Sequence, residues 1–264
     1  LHLCDRRQRQ MCIRDSSQRG NTAETVKAVE VANELGAATI GLTFEVPSPL
    51  AEAAQYVIYY EFGPESIVEN QKVSYGFKLA LEILNRVEGY DKYNEMITAL
   101  AKLNDIVAKA KIDVVPDAIK WAWEFKDDSV IYTMGSGSCW GPAHQEAICI
   151  FMEMQWLDSS SIHTGEYFHG PFEITDANRP FMIQISEGTT RELDERALTF
   201  LKKYAKRIEV LDAKELGLST IDASVVDYFN HALFNNVYPI YNHALATKRE
   251  HPLATRRYMW KVEY

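Results

Sequence analysis

No run in this chain approaches the roughly eighteen consecutive apolar residues of a membrane-spanning helix, and its start carries no secretory signal. Cysteine is scarce. Of four, Cys4 and Cys12 fall in an Arg-rich start, which leaves Cys139 and Cys149 in apolar or Gly-rich surroundings. Two such thiols suit a reducing compartment better than a disulfide framework, so the cytoplasm is the expected location. Metal-ligand spacing is lacking too. His163 and His169 lie six apart without a cysteine partner, so no metal site is expected. Positive charge is in deficit. The net charge is −9, and beyond the first fifteen residues 24 basic side chains face 35 acidic ones. That excess argues against nucleic acid and anionic membrane as partners. An anionic ligand would have to be held by local dipoles and a few placed side chains.

What is present is enough apolar material for a core: 47% of 264 residues. From Thr22 onward the pattern alternates helix and strand. Thr22–Leu35 reads as a helix with Val26 and Val29 inward and Glu24, Lys27, Glu30 and Glu34 outward. Short strands are expected at 38–44 ("ATIGLTF") and 56–60 ("YVIYY"). Two long amphipathic helices follow, the second with Met96, Leu100, Leu103 and Val107 on one stripe. After Pro116 the rhythm restarts, with strands at 129–134, 180–186 and 207–213, a helix over Thr190–Lys206 and a last one over Val225–Thr247. Strand, polar turn, helix, strand occurs twice. The expected fold is therefore α/β, two doubly wound parallel-sheet halves in tandem with a break near 112–128. The halves span 16–115, with a helical linker, and 116–264, with a C-terminal tail. The first half lacks its opening strand and helix and reads as truncated at its N-terminus. Leu1–Asp15 is polar and aperiodic and reads as a foreign leader fused to a gene fragment, the alternative being a genuine disordered N-terminus. It is expected to make no ladder bonds with the 38–44 strand.

Two turns and one helix carry candidate chemistry. "SQRGNTAET" sets Ser17, Gln18, Arg19, Gly20 and Thr22 at a helix start, where free N–H groups and the positive helix end favour an anion. An ordinary N-cap at Asn21 or Thr22, with Glu24 in the first turn, explains the same residues. A second Ser/Gly turn, with Ser136 and Ser138, occupies the matching place in the other half. In "AICIFMEMQW", Glu153 stands among apolar neighbours, either at a helix surface or in a pocket that would suit it to proton transfer. Sixteen residues on, "TGEYFHGP" sets His169 between aromatics and a Gly-Pro turn; a structural role is the ordinary reading of a lone histidine.

With these residues in view, the chain resembles the sugar isomerase (SIS) domain family over roughly 17–264, as a tandem of two halves. Within that family "FMEMQW", "GEYFHGPFEI" and "RRYMWKVEY" are similar to the fructosamine deglycase branch. The resemblance implies a phosphosugar ligand and chemistry without a cofactor. It places Ser17, Gln18 and Thr22 in a phosphate-binding loop, with Arg19 standing where serine is commoner. It implies Glu153 as the proton-transfer acid/base and His169 as the group that opens the sugar ring. It also implies a homodimer or larger assembly with a shared site. The aminating synthase of the family carries lysines where this chain has Ile150 and Tyr258, which favours a deglycase acting on an Amadori product with a 6-phosphate. A plain aldose–ketose isomerase and a phosphosugar-sensing regulator remain the other readings.

Overall fold

The computed structural model describes residues 13–63, 65–259 and 261–263. Cys4, Cys12 and most of the expected leader lie outside the described residues. The chain divides into two compact units, Leu1–Tyr90 and Asp91–Tyr264.

The first unit is a three-stranded parallel sheet in the order β1-β2-β3: β1 (Ile13–Ser17), β2 (Thr39–Thr43) and β3 (Tyr56–Tyr59). Helix α1 (Ala23–Glu34) connects β1 to β2, and the short α2 (Pro49–Ala53) connects β2 to β3. A helix in each connection is what parallel pairing demands. Asn33, at the end of α1, ties the layers together: its amide donates to the Ala53 carbonyl at 2.7 Å and accepts from Thr39 Oγ1 at 2.8 Å. Val29, Ala32, Leu42 and Leu50 form the centre of the unit's core. Helix α3 (Lys72–Val87) completes it.

β1 corrects the expectation that the leader makes no ladder bonds with the 38–44 strand. Residues 13–17 pair in parallel register with β2, from Ile13 opposite Thr39 to Ser17 opposite Thr43. The edge of β2 offers a full row of N–H and C=O groups, and the backbone ahead of the polar turn satisfies them whatever its side chains. Pairing of that kind leaves no hydrophobic period in the sequence.

The second unit holds a four-stranded, wholly parallel sheet in the order β5-β4-β6-β7: β4 (Val130–Gly135), β5 (Asp158–His163), β6 (Pro180–Ile185) and β7 (Arg207–Asp212). Every residue of the inner strand β6 is buried. Helix α6 (Trp140–Gln145) and a π-helix (Glu146–Met152) link β4 to β5, and α7 (Arg191–Tyr204) links β6 to β7. Strand β5, "DSSSIH", was not expected, because four polar residues open it. Its ladder with β4 and the burial of Ile162 are enough to hold it.

Helices α4 (Tyr93–Asp113) and α5 (Val115–Phe125) belong to this second unit, which moves the boundary from the expected 115/116 to 90/91. The reason is the partner of their apolar stripes. Met96, Leu100, Leu103 and Val107 are all buried, and the Trp121 ring meets Tyr241 of α8 (Asn230–Lys248) edge-on at 5.5 Å. The last helix starts at Asn230, after a short 3-10 turn over Val226–Phe229, later than the expected Val225. Among the described residues no helix is long and apolar enough to cross a membrane.

Candidate active site

In both units the polar turns emerge from the carboxyl ends of parallel strands, where open α/β sheets bind ligands.

In the first unit, β1 runs directly into the turn Ser17–Thr22. Its backbone is bonded to the end of β2 and to the start of α2. The Gln18 carbonyl accepts from the Phe44 N–H at 3.1 Å, and the Gly20 carbonyl accepts from the Leu50 N–H at 2.8 Å. Gly20 has φ +65, and a Cβ there would lie 2.2 Å from Ser48 Oγ, so only glycine fits. Thr22 occupies the N-cap position of α1 in extended conformation, yet its side chain caps nothing. Its hydroxyl lies instead 2.9 Å from that of Ser17. An ordinary N-cap turns its oxygen onto the first-turn N–H groups. Here Ser17 and Thr22 pair with each other, and the opening of α1 has no side-chain cap from Thr22. Arg19 is mostly exposed, with Glu45 3.8 Å away and also exposed; such a contact contributes little.

In the second unit, Ser136 and Ser138, expected to bind substrate, are hydrogen-bonded to other protein groups. Ser136 is fully buried and donates to Asp194 Oδ1 at 2.7 Å. Asp194, also fully buried on α7, accepts as well from Thr164 Oγ1 at 2.6 Å, from the Ser186 N–H at 2.9 Å and from Ser186 Oγ at 2.6 Å. One carboxylate thereby braces the loops leaving β4, β5 and β6. Ser138 donates to the Asp227 carbonyl at 2.5 Å and accepts from Asn230 Nδ2 at 3.1 Å. With two aspartates at this turn, a phosphate would meet negative charge. The Ser17–Thr22 turn stands at a helix start without a side-chain cap, whereas the Ser136–Ser138 turn is tied to Asp194 and Asp227.

Glu153 follows the π-helix. The wider turn shows in bonds that span five residues, from the Glu153 N–H to the Ile148 carbonyl at 3.1 Å and from the Gln155 N–H to the Ile150 carbonyl at 2.9 Å. π-turns are costly and gather at functional sites. This one shifts Glu153 from the face it would take in a regular α-helix. The side chain of Glu153 is 27% exposed, and Arg256 Nη2 lies 3.0 Å from its Oε1. The Cys149 thiol is pushed up by burial and then by the nearby Glu153 and Glu146 carboxylates, so it is no ready nucleophile. His169 ends a 3-10 turn over Tyr167–His169 and is exposed. The neighbouring Phe168 packs against Tyr167, Phe172 and Phe200, with ring centres 5.0–5.9 Å apart. Among the described residues no hydrogen bond or ion pair joins Glu153 to His169.

A profile of the SIS domain matches residues 8–84. Across 94% of this chain and 76% of its own length, "Fructosamine deglycase FrlB" of Bacillus subtilis (strain 168) is 45% identical. The chain belongs to the SIS family. "Fructoselysine 6-phosphate deglycase" of Escherichia coli (strain K12) is 29% identical over 76% of this chain, which spans 58% of that protein. A crystal structure from Salmonella typhimurium LT2, described as a candidate phosphosugar isomerase, superposes with a TM-score of 0.90 at 48% identity, over 96% of this chain and 78% of that one. The α/β architecture with parallel sheets is thus the SIS architecture. Ile150 is half-buried and Tyr258 is exposed.

Sequence reasoning missed three functional or bracing residues. Arg256 sits in a tail without periodicity, and Asp194 looks like an ordinary acid in the first turn of α7. Glu146 opens the π-helix, is 2% exposed and has its carboxyl pushed up to about 8 by burial. Each draws its role from residues far away in the chain, so no local signal marks it.

Proposed function

We propose that the chain works as a fructosamine 6-phosphate deglycase: it releases a free amine, such as lysine, and glucose 6-phosphate from a phosphorylated Amadori product. The observation that carries this reading is Glu153, a carboxylate delivered by a π-turn to a partly open position, with no amine-bearing side chain at position 150. The Ser17–Thr22 turn and the opening of α1 hold the 6-phosphate, with Ser17, Gln18 and Thr22 as ligands and Arg19 at the rim. His169 assists ring opening. Glu153 takes a proton from C1 of the open-chain ketosamine; the electron pair forms the C1–C2 double bond of an enaminol as the C2 carbonyl oxygen takes up a proton. Return of a proton to C2, with loss of the N–H proton and formation of the C1–N double bond, gives the imine of glucose 6-phosphate. Water adds to the imine carbon, and the C–N bond breaks to free the amine. Proton transfers and one hydrolysis balance the reaction, so no redox cofactor enters it. A positioned acid/base contributes on the order of 10²–10⁴-fold to such a step.

His169, exposed and joined to Glu153 by no hydrogen bond or ion pair among the described residues, is assigned to the site of a second subunit, so the working form is a homodimer or larger, in the cytoplasm. The test uses full-length protein with fructoselysine 6-phosphate, following lysine and glucose 6-phosphate, and fructose 6-phosphate in parallel. Glu153→Gln is expected to lower kcat by about two to four orders of magnitude with KM nearly unchanged. Mixing Glu153→Gln with His169→Ala subunits should recover part of the activity. Turnover of fructose 6-phosphate with the lysine adduct left intact would make the protein a plain isomerase. Binding of both without turnover would make it a sensor.

A further inference from the structure

The last residues of the chain do more than trail from α8. From Arg249 to Arg257 they are laced to the segment that carries Glu153. The Gln155 amide donates to the His251 carbonyl at 2.9 Å, and Arg249 Nη2 reaches the Gln155 carbonyl at 3.5 Å. Trp156, held at φ 55, meets the His251 ring edge-on at 4.6 Å and carries the Arg257 guanidinium over its face at 4.3 Å. At the centre lies Arg256. Its side chain is only 10% exposed, its Nη1 donates to the Leu253 and Thr255 carbonyls at 2.7 and 2.9 Å, and its Nη2 reaches Glu153 Oε1.

Two features set this contact apart from a surface ion pair. The guanidinium is held by backbone carbonyls through Nη1, which keeps Nη2 at 3.0 Å from the carboxylate with little further entropy to lose. The contact is made to Oε1 of Glu153, a side chain that is still 27% exposed. A carboxylate at the end of a π-turn, where the backbone bond pattern is changing, has few local restraints of its own. The tail supplies one.

We propose that Arg256 is a positioning residue for Glu153, and that the tail 249–257 is part of the deglycase machinery. The inference rests on the assignment of Glu153 as the acid/base. Arg256 fixes the direction of the Glu153 carboxylate without touching the reacting atoms. A displacement of about 1 Å in a catalytic group costs on the order of 100-fold in rate.

Three variants of the full-length enzyme test this with fructoselysine 6-phosphate: Arg256→Gln, Arg256→Lys and Arg256→Gln combined with Glu153→Gln. Arg256→Gln should lower kcat by about 10- to 100-fold and leave KM within about twofold. Arg256→Lys keeps the charge within reach of Oε1 and should recover a large part of kcat; a variant damaged only in its fold would gain nothing from lysine. In the Glu153→Gln background the loss of Arg256 should cost little more, because it acts through that carboxylate. Hydrogen exchange over residues 153–157 should rise in Arg256→Gln whether or not turnover is measured, which separates this inference from the deglycase reading. Glu153→Gln at full activity would sink that reading, whereas unchanged exchange in Arg256→Gln would sink this one. A rise in KM with kcat intact, or a full extra loss in the double variant, would make Arg256 a substrate contact and overturn the proposal.

Discussion

Replacing Glu146 by glutamine should flatten the pH dependence of folding stability. Glu146 is 2% exposed at the start of the π-helix, and it accepts from Asn242 Nδ2 at Oε2 at 3.3 Å. Glu146 Oε1 and Asn242 Oδ1 are both buried and have no hydrogen-bond partner among the described residues. Burial favours the uncharged acid and outweighs the amide contact, raising the group from 4.5 to about 8. Below pH 4.5 both folded and unfolded chains hold the proton, and the group costs nothing. Between 4.5 and 8 the unfolded chain releases the proton while the folded chain keeps it, so stability falls as pH rises. Above 8 the loss is complete. At 1.36 kcal/mol per unit, the window of about three and a half units amounts to about 5 kcal/mol. Glutamine is close in shape and cannot ionise, and its Nε2 can donate to Asn242 Oδ1. Urea unfolding of parent and Glu146→Gln at pH 5, 6, 7 and 8, followed by tryptophan fluorescence, checks this. The two should nearly coincide at pH 5 and separate by several kcal/mol at pH 8, the variant being the more stable. Glu209 is raised to about 7 by burial and contributes the same sign in both proteins, so it drops out of the difference. Parallel pH curves would refute the reasoning, since they would mean that Glu146 is solvated or ionised in the fold.

Two further predictions concern the turn of the first unit. Gly20→Ala forces φ +65 on an L-residue at about 1–2 kcal/mol and drives Cβ into Ser48 Oγ, so it should lower the melting temperature and raise KM for the phosphorylated substrate at least tenfold. Thr22→Val removes the hydroxyl paired with Ser17 at 2.9 Å; the loss of about 1 kcal/mol of binding made equally in ground and transition states should raise KM several-fold with kcat unchanged. Steady-state kinetics on intact protein reads both.

Periodicity and turn chemistry were sufficient to read most of this protein from its residues. The strands at 39–43, 130–135, 180–185 and 207–212 and the buried stripe of α4 follow from patterns of two and 3.6, which are properties of the local chain. Glu153, His169 and the Ser17–Thr22 turn stood out because polar residues in those settings are chemically conspicuous. Other features depended on groups distant in sequence. β1 exists because β2 offers an open edge, and α4 and α5 join the second unit because their apolar faces pack with α8. The two Ser/Gly turns look alike as strings, yet one faces an uncapped helix and the other two aspartates, 58 and 89 residues away. Arg256 lies 103 positions after Glu153, and only the folded tail brings its guanidinium to that carboxylate. A sequence displays which groups are capable of chemistry; their charge environment and direction come from neighbours that the fold alone supplies.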